Sequence, residues 1–305
     1  MEVSMKSAII DLGSNTIRLC VYEHQENYVR TLLEKKEMAG LVNYIENEKL
    51  SDKGIEKASS ILNDFLTLIH NLQVESNNVH IFATASLRNI VNTKEVIEAI
   101  KHNTDYEVEL LSGDEEAMLD FLGTTKCLNV DSGIIVDIGG GSTELVIFEH
   151  KTIKYATSIP IGSLNMYVKH VKKIIPKPVE RENIRQTVLS YISDLPIEKD
   201  PIYTLCGVGG TIRGILKLNN SIYNKPGNNT EIDTVHIKEI LRSIKNSHRT
   251  TLSPLLRNIP DRIHTIVPGM IIADTIVDYF GIQNILVSKY GIREGYLYER
   301  IIKGE

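Results

Sequence analysis

Residues 9–22 read IIDLGSNTIRLCVY, and residues 135–148 read IVDIGGGSTELVIF. At an offset of 126 the two stretches pair Asp11 with Asp137, Gly13 with Gly139, Thr16 with Ser142 and Leu19 with Leu145. Each reads as an apolar strand ending in aspartate, a glycine-cornered turn, and a second apolar strand. Glycine opens backbone conformations closed to other residues and lets a ligand approach the main chain, and successive amides around such a turn can hold a phosphate. An aspartate at the same corner would repel that phosphate unless a cation lay between them. The pattern therefore points to Mg²⁺ or another divalent cation.

Side chains alternate across a strand. In the first copy Ile17, Leu19 and Val21 share one face, which leaves Thr16 and Arg18 on the other; in the second, Thr143, Leu145 and Ile147 leave Ser142 with Glu144. The two hairpins divide the labour, with Arg18 suited to phosphate oxygens and Glu144, beside Asp137, suited to a metal.

A chain of 305 residues, 42% of them hydrophobic, can bury a sizeable core, and its length favours two domains. No apolar run reaches the roughly 18 residues of a membrane-spanning helix, and the N-terminus lacks a basic segment followed by an apolar one. The expected address is cytoplasmic, with no membrane partner. A net charge of -5 argues against a nucleic-acid coat. Cys20, Cys127 and Cys206 lie far apart without CxxC spacing, which suggests neither a disulfide framework nor a zinc site, and all three read as small core residues. The basic stretch KHVKKIIPKP at 169–178 reads either as a solvated helix end or as a landing strip for a polyanion.

Strands are predicted at 6–11, 16–23 and 28–37. A helix follows behind a Ser51 cap, with Ile55, Ala58, Ile61, Leu62, Phe65, Leu68 and Ile69 at helical spacing. A strand at 79–84, a helix at 93–103, a strand at 106–111 and a helix at 113–127 complete the first half. The programme then restarts near 125–132: strands at 134–138, 143–149 and 152–158, helices at 163–172 and 179–194, and a strand at 202–206 leading into the glycine loop GVGGT, which opens a helix. Helices at 235–247 and 263–280, a strand at 284–288 and a helix from about 291 close the chain.

In SGDEEAML (112–119), Ser112 and Glu115 form a capping-box pattern, Ser112 as N-cap and Glu115 reaching back to its amide. That gives Glu115 a structural task. Glu116 has none, and projects elsewhere from the first turn.

Six stretches in order, DLGSNTIRL (11–19), ATASLRN (83–89), LLSGDEEA (110–117), VDIGGGSTEL (136–145), GVGGT (207–211) and GIREG (291–295), resemble the motifs of the exopolyphosphatase and guanosine pentaphosphate phosphohydrolase family. The resemblance implies an α/β fold of the actin, Hsp70 and sugar-kinase superfamily: two ribonuclease H-like domains with an interdomain cleft. Residues 1–125 with a returning C-terminal helix at 290–305 would form domain I, and residues 126–289 domain II. It implies Glu116 as general base toward the attacking water. Phosphate binding falls to Gly13, Ser14, Asn15, Thr16 and Arg18, to Arg88 at the start of a short helix, to Gly140, Gly141, Ser142 and Thr143, and to Gly209, Gly210 and Thr211. Asp137 and Glu144 would hold Mg²⁺, with Asp11 as a third candidate. Arg293 would face the cleft or pair with Glu294 or Glu299.

The implied activity is Mg²⁺-dependent hydrolysis of terminal phosphate from inorganic polyphosphate. Guanosine pentaphosphate 5′-phosphohydrolysis is the nearest alternative, and a superfamily kinase or a non-catalytic phosphate or alarmone sensor the alternatives of another class. A homodimer is allowed. Two departures stand out: Met118 replaces an arginine usual in the acidic motif, and the chain ends soon after its closing helix, which favours short polyphosphates or a nucleotide tetra- or pentaphosphate over long chains.

Overall fold

The computed structural model describes residues 4–25, 28–197, 202, 204–244 and 249–303. The chain divides into two compact units, Met1–Glu116 with Tyr296–Glu305, and Ala117–Gly295.

Unit 1 begins with β1 (Met5–Leu12), β2 (Thr16–Gln25) and β3 (Tyr28–Met38), an antiparallel meander. A small hairpin of β4 (Ile45–Glu46) and β5 (Lys49–Leu50) leads to α1 (Asp52–Asn71), followed by β6 (Val79–Ala83), α2 (Ala85–Arg88), α3 (Thr93–Thr104), β7 (Glu109–Leu110) and the start of α4 (Gly113–Cys127). The sheet order is β3-β2-β1-β6-β7, with β6 parallel to β1 and β7 parallel to β6. Central β1 has Ala8, Ile9 and Ile10 fully buried, as expected of a strand covered on both faces. Edge strand β3 alternates exposed and half-buried residues and carries Arg30, Glu34, Lys35, Lys36 and Glu37, charges that discourage a further strand from pairing. The α1 stripe of Ala58, Ile61, Leu62, Phe65 and Ile69 packs on Ile10, Leu12, Leu19 and Val21. Ser51 holds the N-cap position of α1, where its carbonyl accepts the Gly54 and Ile55 amides, but its hydroxyl makes no cap bond.

Unit 2 repeats the plan. β8 (Gly133–Ile138), β9 (Thr143–Glu149) and β10 (Thr152–Ile159) form the meander, then come α5 (Ser163–His170), α6 (Pro178–Ile192), β11 (Thr204–Val208), α7 (Gly209–Ile222), β12 (Glu231–Asp233), α8 (Thr234–Ser243), α9 (Arg249–Asn258), α10 (Ile266–Phe280), β13 (Asn284–Val287) and α11 (Ile292–Tyr296). The order is β10-β9-β8-β11-β13-β12: the antiparallel meander continues through β11 and β13, both parallel to β8, and β12 is added antiparallel to β13 at the far edge. Apolar nearly all round, α10 is buried over almost its whole length in the core on one face of this sheet.

Several predicted boundaries move. The 106–111 strand contracts to Glu109–Leu110, because only these two residues pair with Phe82 and Ala83. The strand β12 and the helix α9 had no counterpart in the prediction: three residues are too few for an alternating pattern, and α9 carries Pro254 inside it. The predicted 235–247 helix ends at Ser243, and its remainder beyond 244 lies outside the described residues. The helix from 291 passes into a π-helical turn at Leu297–Ile302.

Candidate active site

The two glycine turns are built alike. The Gly13 amide donates to the Thr16 carbonyl at 3.2 Å, and the Gly139 amide donates to the Ser142 carbonyl at 3.0 Å. Asp11 pairs with Arg18 across β1 and β2, and Asp137 pairs with Glu144 across β8 and β9. Directly opposed residues present their side chains to the same face, so the first copy joins acid to base and the second joins acid to acid. Ser14 and Thr16 are buried, Gly13 and Asn15 half-buried. Arg18 also reaches Glu34 at 3.9 Å, a long and weak ion pair.

In unit 2 the hydroxyl of fully buried Thr143 donates to the Ile161 carbonyl at 2.5 Å, a structural bond. Glu144 is only 1% exposed and accepts from the Ser158 hydroxyl at 2.7 Å. The glycine loop has no length of its own: Gly209, Gly210 and Thr211 are the first turn of α7, immediately after β11. Gly209 has φ +75°, and a Cβ there would stand 2.0 Å from the Asp137 carboxylate. Only glycine lets that turn approach Asp137. The Thr211 hydroxyl is buried with no hydrogen-bond partner among the described residues.

Glu116 lies on α4 behind the capping box expected from sequence. The Ser112 amide and hydroxyl both donate to Glu115, at 2.9 and 2.8 Å, and the Glu115 amide donates back to the Ser112 hydroxyl at 3.2 Å. These bonds, with a smaller contribution from Arg300, hold the Glu115 carboxyl below its ordinary range. Glu116 is buried, and Arg88 donates to it at 2.9 Å through the same Nη1 that reaches the Leu111 carbonyl at 3.0 Å. Arg88 ends α2 rather than starting it: the helix begins directly after Thr84, whose carbonyl takes the Leu87 and Arg88 amides. Met118 is 40% exposed, and Arg293 is buried.

A family model for the Ppx/GppA phosphatase family matches residues 20–303. The chain belongs to that family. It is accordingly a phosphoryl-hydrolysing enzyme. The crystal structure of the Aquifex aeolicus member of the Ppx/GppA family superposes with a TM-score of 0.79 at 26% identity, over 99% of both chains. An exopolyphosphatase from Cytophaga hutchinsonii shares the fold at a TM-score of 0.86 and 21% identity, over 98% of both chains. The guanosine-5′-triphosphate,3′-diphosphate pyrophosphatase of Vibrio atlanticus is 25% identical over 96% of this chain, which spans 59% of that relative.

Ppx/GppA chemistry raises the question of a cation, and the donor set suits one. Two carboxylates in direct opposition, one of them buried, destabilise each other unless charge is supplied between them. Mg²⁺ typically takes one or two carboxylates and completes its shell with water and phosphate oxygens. Among the described residues no preassembled group of three His, Cys, Asp or Glu side chains is present, and none is needed for a site of that kind. Asp11 stands opposite Arg18 and is the weaker candidate ligand.

Sequence reasoning missed Arg262, in the turn Pro260–Arg262. Burial lowers its pKa most, Asp261 and Asp137 raise it, and Arg213 lowers it, which places a cation within electrostatic reach of Asp137. The signal PDRIH holds one arginine among ordinary loop residues, and only the tertiary fold brings it toward Asp137.

Proposed function

We propose that this Ppx/GppA member is an exopolyphosphatase: water attacks the terminal phosphorus of inorganic polyphosphate, the bond from that phosphorus to its bridging oxygen breaks, and the products are orthophosphate and a chain one phosphate shorter. The chain would comprise two ribonuclease H-like domains, each contributing one glycine-cornered phosphate turn. Cleavage of a phosphoanhydride by water needs an oriented nucleophile, neutralised charge and in-line geometry. Glu116 accepts the proton of the attacking water. Gly13–Thr16 with Arg18, Gly140–Ser142, and Gly209–Thr211 hold phosphate oxygens through amides, hydroxyls and a guanidinium. Asp137 and Glu144 would hold Mg²⁺, which supplies charge neutralisation at the phosphoryl oxygens when bound.

The observation that carries this reading is the opposed Asp137–Glu144 pair beside Gly209, in a chain whose other copy of the turn presents Arg18 instead. Guanosine pentaphosphate is the second substrate to test, favoured by the Vibrio atlanticus relative. Orthophosphate release from polyphosphates of increasing length, measured beside release from guanosine pentaphosphate, separates them. The exopolyphosphatase reading expects polyphosphate to be the faster substrate; faster turnover of the nucleotide overturns it in favour of the second. A cytoplasmic, metal-dependent enzyme without a phosphoryl acceptor is expected throughout, and transfer from ATP to an acceptor would instead mark a kinase.

A further inference from the structure

The segment leaving the third strand of each meander runs behind the glycine turn. In unit 2 it reads PIGSLN, residues 160–165, and the notable side chain is Asn165. Its Nδ2 donates to the Gly141 carbonyl at 2.8 Å and to the Pro160 carbonyl at 3.1 Å, while its Oδ1 accepts the Gly162 amide at 2.7 Å. The neighbouring amides complete the set: Ser163 to the Gly139 carbonyl at 2.9 Å, and Leu164 and Asn165 to the Gly140 carbonyl at 3.0 Å each. Gly162 allows the approach, since a Cβ there would lie 2.3 Å from the Gly140 carbonyl.

A trans peptide points its C=O and the following N–H in opposite directions. Fixing the carbonyls of Gly139, Gly140 and Gly141 toward α5 therefore turns the N–H groups of Gly140, Gly141 and Ser142 the other way together. Unit 1 does the same with backbone alone: the Ala39 and Gly40 amides hold the Asn15 carbonyl at 3.0 and 2.9 Å, and the Val42 amide holds that of Ser14 at 3.4 Å.

We infer that Asn165 is a positioning residue for the second phosphate turn: its side-chain bond to the Gly141 carbonyl aims the Ser142 amide at an anion, completing a row of three whose first two, Gly140 and Gly141, are aimed by the α5 backbone. The inference rests on the phosphohydrolase reading for its substrate, but not for its geometry.

Amide NMR of the full chain titrated with orthophosphate tests it, alongside steady-state kinetics on polyphosphate. Wild type should show phosphate-dependent shifts at Gly140–Ser142 and at Asn15–Thr16. Asn165→Ala should lose the Ser142 response first and most, keep those at Asn15–Thr16, and raise KM about tenfold, the scale of one to two lost hydrogen bonds. Asn165→Asp keeps the acceptor for Gly162 and loses the donor to Gly141, so it covers the case in which alanine does not fold. Its effect should persist at high salt, where a simple charge repulsion would fade. Unchanged shifts and KM in the variants, equal loss at both turns, or no phosphate response at Gly140–Ser142 in wild type would each overturn the inference. A wild type that binds orthophosphate in this pattern yet releases none from polyphosphate sinks the functional reading and leaves the bracket standing.

Discussion

Glu144 stands across from Asp137 in the β8–β9 ladder at the position where Arg18 stands across from Asp11 in β1–β2. One fold element, used twice, therefore presents an acid–base pair in one unit and an acid–acid pair in the other. Like charges directly opposite destabilise a ladder, and the proposed divalent cation would offset that repulsion. Mg²⁺ is expected to raise the melting temperature of wild type and leave that of Glu144→Gln unchanged. Glutamine keeps the acceptor for Ser158, so the local bond survives the substitution. Thermal scans with and without Mg²⁺ decide it, and an equal rise in both proteins would remove Glu144 from the metal site.

Arg88 and Glu116 hold each other at 2.9 Å in a largely buried setting. Arg88→Gln should destabilise the fold by about 1–3 kcal/mol, the cost of leaving a buried polar group without its partner. It should also lower turnover, since the Glu116 carboxylate loses the hydrogen bond that fixes its orientation. Denaturant melts and steady-state kinetics on the single variant check both. In a double-mutant cycle with Glu116→Gln the two losses in turnover should be less than additive; strict additivity would mean that the pair does not act as a unit.

Gly209 and Gly281 both have positive φ, +75° and +68°, yet only Gly209 has a crowded Cβ position, 2.0 Å from Asp137. Gly281→Ala should cost about 1–2 kcal/mol from backbone strain alone, with turnover retained. Gly209→Ala carries the same strain and must also push Asp137 aside, so it should abolish most activity. Comparable turnover in the two variants would show that the α7 turn does not shape the site.

Ser112 and Glu115 make a stabilising cap whose contribution depends on pH in a stated direction. The Glu115 carboxyl is depressed below its ordinary value of 4.5, first by the Ser112 amide, then by the Ser112 hydroxyl, and in lesser part by Arg300. A carboxylate depressed in the folded state stabilises above that value and loses the contribution as pH falls through the folded pKa. Ser112→Ala should cost about 1 kcal/mol at pH 7, and the difference from wild type should shrink below pH 4. Urea midpoints at the two pH values measure it.

Much of this was legible in the sequence where the signal was local. The offset that pairs Gly13 with Gly139 returns as two equivalent turn hydrogen bonds, and the spacing of Ser112 and Glu115 returns as a reciprocal cap. What escaped is built by residues distant along the chain. Arg262 near Asp137, the ion pair between Arg88 and Glu116, and Asn165 behind Gly141 each join segments whose meeting no periodicity announces. Thr143 shows the limit from the other side: a hydroxyl in a phosphate motif, spent on the Ile161 carbonyl.

The most direct test of the central claim is orthophosphate release from polyphosphate by wild type and Glu116→Gln, with Mg²⁺ present and with it chelated, beside polyphosphate binding by both proteins. Metal-dependent release by wild type is predicted, with turnover falling by about 10²–10⁴ in the variant while binding persists. Release that falls less than tenfold in Glu116→Gln, or that is indifferent to Mg²⁺, would contradict the assignment.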